Sequence, residues 1–208
     1  MRNIFSALAG AVVLAAVTIA TPAAAADKAE LLADANTTVN HLKSDPAFAT
    51  AARMMRGARA VYIVPHLVKG GFIFGAEGGA GVLVRRAGNG WGEPKFYDMA
   101  SASFGLQAGL QKAELIFIIN SDRALAGIEG GNFKIGAQAG ITVVNLSSGA
   151  EGATTARGGD IVVWTSGSGL FGGLAFNGSV ISPDKDWNAS ANPAAPTRAL
   201  RNNLASVR

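Results

Sequence analysis

Side chains able to carry nucleophilic, acid–base or metal chemistry are few and scattered in this sequence. There is no cysteine, which removes thiol nucleophiles, thiolate metal sites, disulfides and a lipid-modified cysteine. The two histidines, His41 and His66, have no ligand spacing between them, and no H-E-x-x-H, G-x-S-x-G, Walker or EF-hand pattern occurs. Asp184 and Asp186 flank Lys185 in what reads as a solvated turn rather than an acid/base pair. Gly167-Ser168-Gly169-Leu170-Phe171-Gly172 matches G-x-G-x-x-G after the strand-like Ile161–Trp164. A glycine-rich, strand-like stretch follows it, so no helix N-terminus is expected to receive a pyrophosphate. The sequence therefore predicts no catalytic residue, no metal and no cofactor. What remains is cationic: Arg53, Arg56, Arg59, Lys69, Arg85 and Arg86 fall within a stretch holding one acid, Glu77. Such a run fits an anionic surface, or else ordinary solvated charge.

The elements that must position these cations follow from periodicity. Leu31, Leu32, Ala35, Val39 and Leu42 recur at helical spacing and predict a helix over Lys28–Lys43. Asp45-Pro46 reads as an N-cap and first helical residue, with Phe48, Ala52 and Met55 as the apolar stripe of a second helix. Arg53 and Arg56, three apart, share a face of it. Beyond Ala60 short β-rich runs are separated by glycine or polar turns: Val61–Val64, Gly71–Gly75, Gly81–Arg86, Ser101–Gln111, Leu115–Asn120, Phe133–Val144, Asp160–Thr165 and Leu174–Ser182. One helical insertion is expected at Ser121–Ile128. Strands this close together must pair antiparallel, which gives an α+β domain. Its expected form is N-terminal helices packed on a strongly twisted, largely antiparallel, glycine-rich sheet, barrel-like in curvature. After Trp187 the reading is a linker, Asn188–Pro196, then a short basic helix Arg198–Val207 capped by Thr197.

Glycine is abundant, 27 of 208 residues, against a usual share of roughly 7%. Three runs share a pattern: Phe74-Gly75-Ala76-Glu77-Gly78-Gly79, Phe104-Gly105-Leu106-Gln107-Ala108-Gly109 and Ile135-Gly136-Ala137-Gln138-Ala139-Gly140. On strands, Gly75 and Glu77, Gly105 and Gln107, and Gly136 and Gln138 would line one face. Two readings follow: glycines that let a bent sheet close, or a groove that admits a ligand near the backbone.

The first residues, Met1-Arg2-Asn3, an apolar run Ile4–Ala20 and then Thr21-Pro22-Ala23-Ala24-Ala25-Ala26, have the layout of a secretory signal peptide. Cleavage is expected near Ala26, so residues 1–26 are read as the signal and the mature chain as periplasmic or secreted. The formal charge of +4 falls to +3 without Arg2, too small an excess to argue for nucleic acid.

Lys69-Gly70-Gly71-Phe72 through Glu77-Gly78-Gly79-Ala80-Gly81-Val82-Leu83-Val84-Arg85-Arg86 resembles the SYLF domain, a lipid-binding family of bacteria and of eukaryotic actin-associated proteins. The resemblance continues in order through Gly90-Trp91 with Pro94, Gly105 with Gln107 and Gly109, Leu115 to Ala124, Gly131-Asn132-Phe133, Gly169 to Gly173 and Asn177-Gly178-Ser179. It covers roughly residues 27–188, leaving 189–208 as linker and basic helix. It implies binding to acidic phospholipids through basic residues and an amphipathic N-terminal segment, and no catalysis. The chain is thus expected to be an exported, non-enzymatic lipid-binding module of the bacterial cell envelope. Its anticipated lipid contacts are Arg53, Arg56, Lys69, Arg85 and Arg86, with Arg59 and Lys95 weaker. The alternative is an envelope scaffold that receives a protein partner on its glycine-lined strands or sheet edge.

Overall fold

Helical periodicity at the N-terminus becomes two helices, α1 (Ala24–Lys43) and α2 (Phe48–Gly57). The computed structural model describes residues 24–71, 74–104, 111–136, 141–146, 159–166 and 178–207. The helices are followed by β1 (Ala60–Gly71), β2 (Phe74–Ala87), β3 (Gly90–Trp91), β4 (Lys95–Phe104), β5 (Gln111–Ile119), α3 (Asp122–Glu129), β6 (Phe133–Lys134), β7 (Val143–Leu146), β8 (Ile161–Ser166), β9 (Val180–Pro183), α4 (Lys185–Asn188) and α5 (Ala194–Ala205). Among the described residues the strands form one nine-stranded sheet in the order β6-β9-β4-β2-β1-β5-β8-β7, with β3 added to β2. Only β7–β8 is parallel among these pairings. The sheet curls into a half-barrel, so the α+β architecture expected from strand spacing is the one observed.

The central strands read as continuous apolar runs because both faces of the sheet are covered. One face carries Val61, Ile63, Val82, Val84, Ile116, Ile118 and Val162 beneath Leu32, Val39 and Leu42 of α1, Met55 of α2 and Leu200 and Leu204 of α5. The other carries Tyr62, Val64, Leu83, Leu115, Phe117 and Val163 beneath Leu125 and Ile128 of α3. Alternation along each strand assigns neighbouring residues to opposite cores.

Several boundaries differ from the sequence reading, for physical reasons. Asp45 does not cap α2: its Oδ1 accepts from Ala47 N at 2.7 Å, closing a turn, and the helix starts at Phe48. Ser101–Gln111 is not one strand, since its ends belong to β4 and β5. Gly71–Gly75 likewise splits, with Gly71 closing β1 opposite Gly75 in β2. Phe133–Val144 is interrupted, because Gly136 takes a left-handed φ of 78° in a turn that ends the two-residue β6. Leu174–Ser182 keeps only Val180–Pro183 as strand, and 174–177 lie outside the described residues. Thr197 is not a cap: α5 begins at Ala194 and Thr197 is buried within it. Ser121 does cap α3, accepting from Ala124 N at 3.3 Å.

Pro65 sits inside β1 without breaking the sheet because the ladder shifts register around it, between Val64 and Leu67 on the β5 side and between Ile63 and Val68 on the β2 side. Two glycines of β2 pack against this region. A Cβ at Gly79 would lie 2.6 Å from His66 O, and one at Gly81 would lie 2.5 Å from Tyr62 Cε2. Tyr62 is fully buried, and its Oη donates to Tyr97 O at 3.2 Å. Burial, with Asp98 and Tyr97 nearby, pushes its phenol well above the ordinary value.

The stretch expected as a linker is tied down. Asn188 accepts from Phe96 N at 2.9 Å and donates to Phe96 O at 2.8 Å, and Asn192 donates to Pro94 O at 2.8 Å. Buried Lys28 of α1 donates to Ser190 O and Oγ at 3.1 and 2.6 Å. Among the described residues no helix is long and apolar enough to cross a membrane.

Candidate functional site

The second helix seats Ala51, Ala52 and Met55 on the core, with Phe48 and Met54 half-buried at its margins. Helical spacing then turns Arg53 and Arg56 outward together, and both are exposed. Arg53 donates to Thr50 Oγ1 at 2.9 Å, and Arg56 has no partner among the described residues. Neither pairs with a carboxylate among the described residues. A cationic face flanked by half-buried apolar side chains is the arrangement of a helix lying on an anionic interface.

The other anticipated cations are deployed differently. Arg85 and Arg86 are adjacent on β2, so the pleat sends them to opposite faces. Arg85 lies on the side of Leu83 and pairs with Glu129 of α3 at 3.2 Å. Arg86 lies on the side of Val82 and Val84, where it donates to Met55 O and, at 3.4 Å, to Ala58 O at the C-terminal end of α2. Its guanidinium also stacks 3.9 Å from the centre of the Trp91 ring, and burial lowers its pKa from the ordinary arginine value. Arg86 thus caps a helix end, where a cation meets the free carbonyls. Arg59 pairs with Asp122 at 3.2 Å, and Lys95 is exposed. Lys69 stands opposite Glu77 in the β1–β2 register.

An Arg86→Gln variant is therefore expected to lose about 1–2 kcal/mol of stability in thermal unfolding, from the cation–π contact and the helix-end hydrogen bonds. Its vesicle binding should stay within about twofold of the parent. Reduced vesicle binding at unchanged melting temperature would place Arg86 on the lipid instead.

Only part of the glycine rows lies among the described residues. Gly75 pairs with Gly71 and Ser103, and Glu77 with Lys69 and Ser101, in β2. Gly136 lies in a turn, off any strand. Gly105, Gln107, Gln138 and the loop 167–172 lie outside the described residues. Both histidines bind α1 to the sheet: His41 Nδ1 lies 2.9 Å from Glu114, which also accepts from Thr38 Oγ1 at 2.9 Å, and His66 Nε2 lies 2.9 Å from Asp34. Asp184 accepts from Trp187 N at 2.9 Å, capping α4 rather than forming an acid/base pair with Asp186. Among the described residues no cluster of His, Asp and Glu could hold a metal ion.

The sequence reading gave α5 as a short basic helix but drew no site from it. Arg198, Arg201, Asn202 and Ala205 recur at i, i+3, i+4 and i+7, opposite the buried Thr197, Leu200 and Leu204. The basic content of this segment was legible, and the stripe it forms could have been found from that spacing.

Comparison with known proteins supports the family resemblance. The profile of the Ysc84 family, described as "Las17-binding protein actin regulator", matches residues 100–201. Human "SH3 domain-containing YSC84-like protein 1" is 32% identical over 125 residues, which is 59% of this chain and 36% of that protein. "Protein YSC84" of Saccharomyces cerevisiae is 29% identical over 140 residues, 65% of this chain and 30% of that protein. "LAS seventeen-binding protein 3" of the same yeast matches to the same extent. The chain spans about a third of the length of these curated relatives. No solved structure matches. With relatives of this extent and the family profile on β4 through α5, the chain belongs to the Ysc84 (SYLF) family.

Proposed function

We propose that this protein is a non-catalytic binding module that attaches to anionic phospholipid head groups through the outer face of α2. The observation that carries the reading is the pair Arg53 and Arg56, exposed on one face, paired with no carboxylate among the described residues, and bordered by half-buried Phe48 and Met54. Cations near an anionic bilayer contribute about 1 kcal/mol each, and the attraction fades within a Debye length. Two arginines supply weak attachment, and apolar insertion at the margins of α2 adds to it. The signal-like N-terminus supports export to the bacterial envelope, with peripheral attachment to a membrane there.

Co-sedimentation of the protein with vesicles tests this reading. Binding to vesicles rich in phosphatidylglycerol or cardiolipin, absent on phosphatidylcholine and reduced on passing from low to physiological salt, is the expected result. Equal binding to neutral and anionic vesicles would contradict it.

A second reading has its own observation. One of the two yeast relatives and the family profile carry Las17 binding in their names, which supports a protein partner for this domain. On that reading the partner pairs with an edge of the sheet, at β6 or β7, the two ends of the strand order among the described residues. Capture that survives high salt and needs no lipid would favour it.

A further inference from the structure

A cavity of about 350 Å³ opens between the β2–β3 turn and α5. Gly90 and Trp91 line one side, and Arg198, Arg201, Asn202 and Ala205 line the other. Its volume is in the range of small-ligand sites. Among the described residues no carboxylate is part of its lining, and Glu93 pairs with Arg201. Arg201 is held in place, its Nε donating to Trp91 O at 2.8 Å and its Nη1 to Glu93 Oε1 at 2.7 Å. Its Nη2 has no partner among the described residues. Arg198 and Asn202, one helical turn apart, have side chains without partners among the described residues. Trp91 is itself fixed by the Arg86 guanidinium stacked on its ring. The cavity therefore presents one preorganised guanidinium, one free guanidinium and one free amide.

We propose that this cavity binds a phosphate ester. A guanidinium offers paired N–H donors in a planar fork that matches two oxygens of one phosphate, and Asn202 supplies a further donor. Fixing Arg201 beforehand reduces the ordering cost of binding. The phosphate belongs either to a soluble monoester or to the diester of a lipid head group, two sources that share anionic phosphoryl oxygens. The site lies on a different helix from the α2 face and does not depend on it.

The probe is glycerol 1-phosphate, titrated into the full chain and followed by the backbone amide resonances of residues 88–91 and 198–202. Saturable shifts are expected, with affinity at least about tenfold weaker in Arg198→Gln, which loses a charge-assisted pair. Arg198 has no partner among the described residues, so this variant removes the contact without removing a bond seen there. Lys134→Gln, which neutralises an exposed cation of β6, should leave the affinity within about twofold. Absence of saturable shifts, or equal affinity in Arg198→Gln, overturns the proposal. Phosphatidylglycerol vesicles then separate the sources. If Arg198→Gln also lowers vesicle capture, the ligand is a head group; if capture is unchanged while glycerol phosphate binding is lost, it is a soluble ester. Vesicle capture without glycerol phosphate binding refutes this site and leaves the α2 reading intact.

Discussion

Gly81→Ala is expected to cost about 3 kcal/mol of folding stability, because the added methyl has nowhere to go. Its Cβ would meet Tyr62 at 2.5 Å on Cε2 and 2.7 Å on Oη. Tyr62 cannot move aside: its ring is fully buried, packed edge-on to Tyr97 with centroids 6.2 Å apart and tilted against Phe117 at 5.6 Å. The strain should therefore vanish when the ring is removed. In a Tyr62→Leu background, itself destabilised by a cavity, Gly81→Ala should cost under about 1 kcal/mol. Gly79→Ala is the contrasting case. The atom in its way is His66 O, a backbone atom at 2.6 Å, so Tyr62→Leu should not relieve it. Urea unfolding of the four-member cycle measures the coupling. A stable Gly81→Ala protein that had lost ligand binding would instead make this glycine part of a groove.

Asp160→Asn is the second large loss, and it carries a pH signature. The carboxylate is almost wholly buried and accepts from Arg123 Nε at 2.8 Å, Arg123 Nη2 at 2.6 Å, Thr142 N at 2.9 Å and Thr142 Oγ1 at 3.0 Å. These bonds, the Arg123 pair foremost, then Ser121 and Thr142, hold the carboxyl far below the usual carboxylate range. The network joins the start of α3 to the segments leading into β7 and β8, and Asp160 O accepts from Asn120 N at 2.8 Å. Removing the charge should cost about 2–3 kcal/mol, the value of hydrogen bonds to an ionised group. Because the folded carboxyl titrates below the unfolded one, its contribution is complete above the unfolded pKa of about 3.9 and is lost as pH falls below it. Parent stability should thus drop between about pH 5 and 2 more steeply than that of Asp160→Asn. Parallel pH profiles for the two proteins would contradict this role.

The elements that were legible in the sequence are those whose signal is local. Leu31, Leu32, Ala35, Val39 and Leu42 marked α1 because one helix face meets one core. Ser121 marked the start of α3 because its side chain meets a backbone N–H three residues on. The apolar runs of β1, β5 and β8 announced strands, and their lack of alternation was the trace of a sheet covered on both faces. What failed depends on distant neighbours. Nothing local shows that Pro65 sits at a register shift, or that Phe133–Val144 breaks at a left-handed Gly136. The repeated glycines looked like three equal strands, yet Gly75 lies on β2 while Gly136 takes a left-handed φ in a turn. For the candidate site, the outward pair Arg53 and Arg56 followed from helical spacing alone. Arg85 and Arg86 could have been separated by strand alternation, but the capping of α2 by Arg86 rests on a fold contact between residues 31 apart in sequence. The cations of α5 went unused because that helix was read as an appendage, whereas Leu200 and Leu204 complete the α1 core.

The central claim, that the outer face of α2 meets anionic head groups, is tested most directly by co-sedimentation of an Arg53→Glu/Arg56→Glu protein with phosphatidylglycerol vesicles at low salt, beside the parent and an Arg53→Gln/Arg56→Gln protein. Both side chains are exposed, so melting temperatures should be unchanged. Losing two cations at about 1 kcal/mol each predicts roughly thirtyfold weaker binding for the glutamine protein and a larger loss for the glutamate protein. Three folded proteins that bind these vesicles equally well would contradict the account.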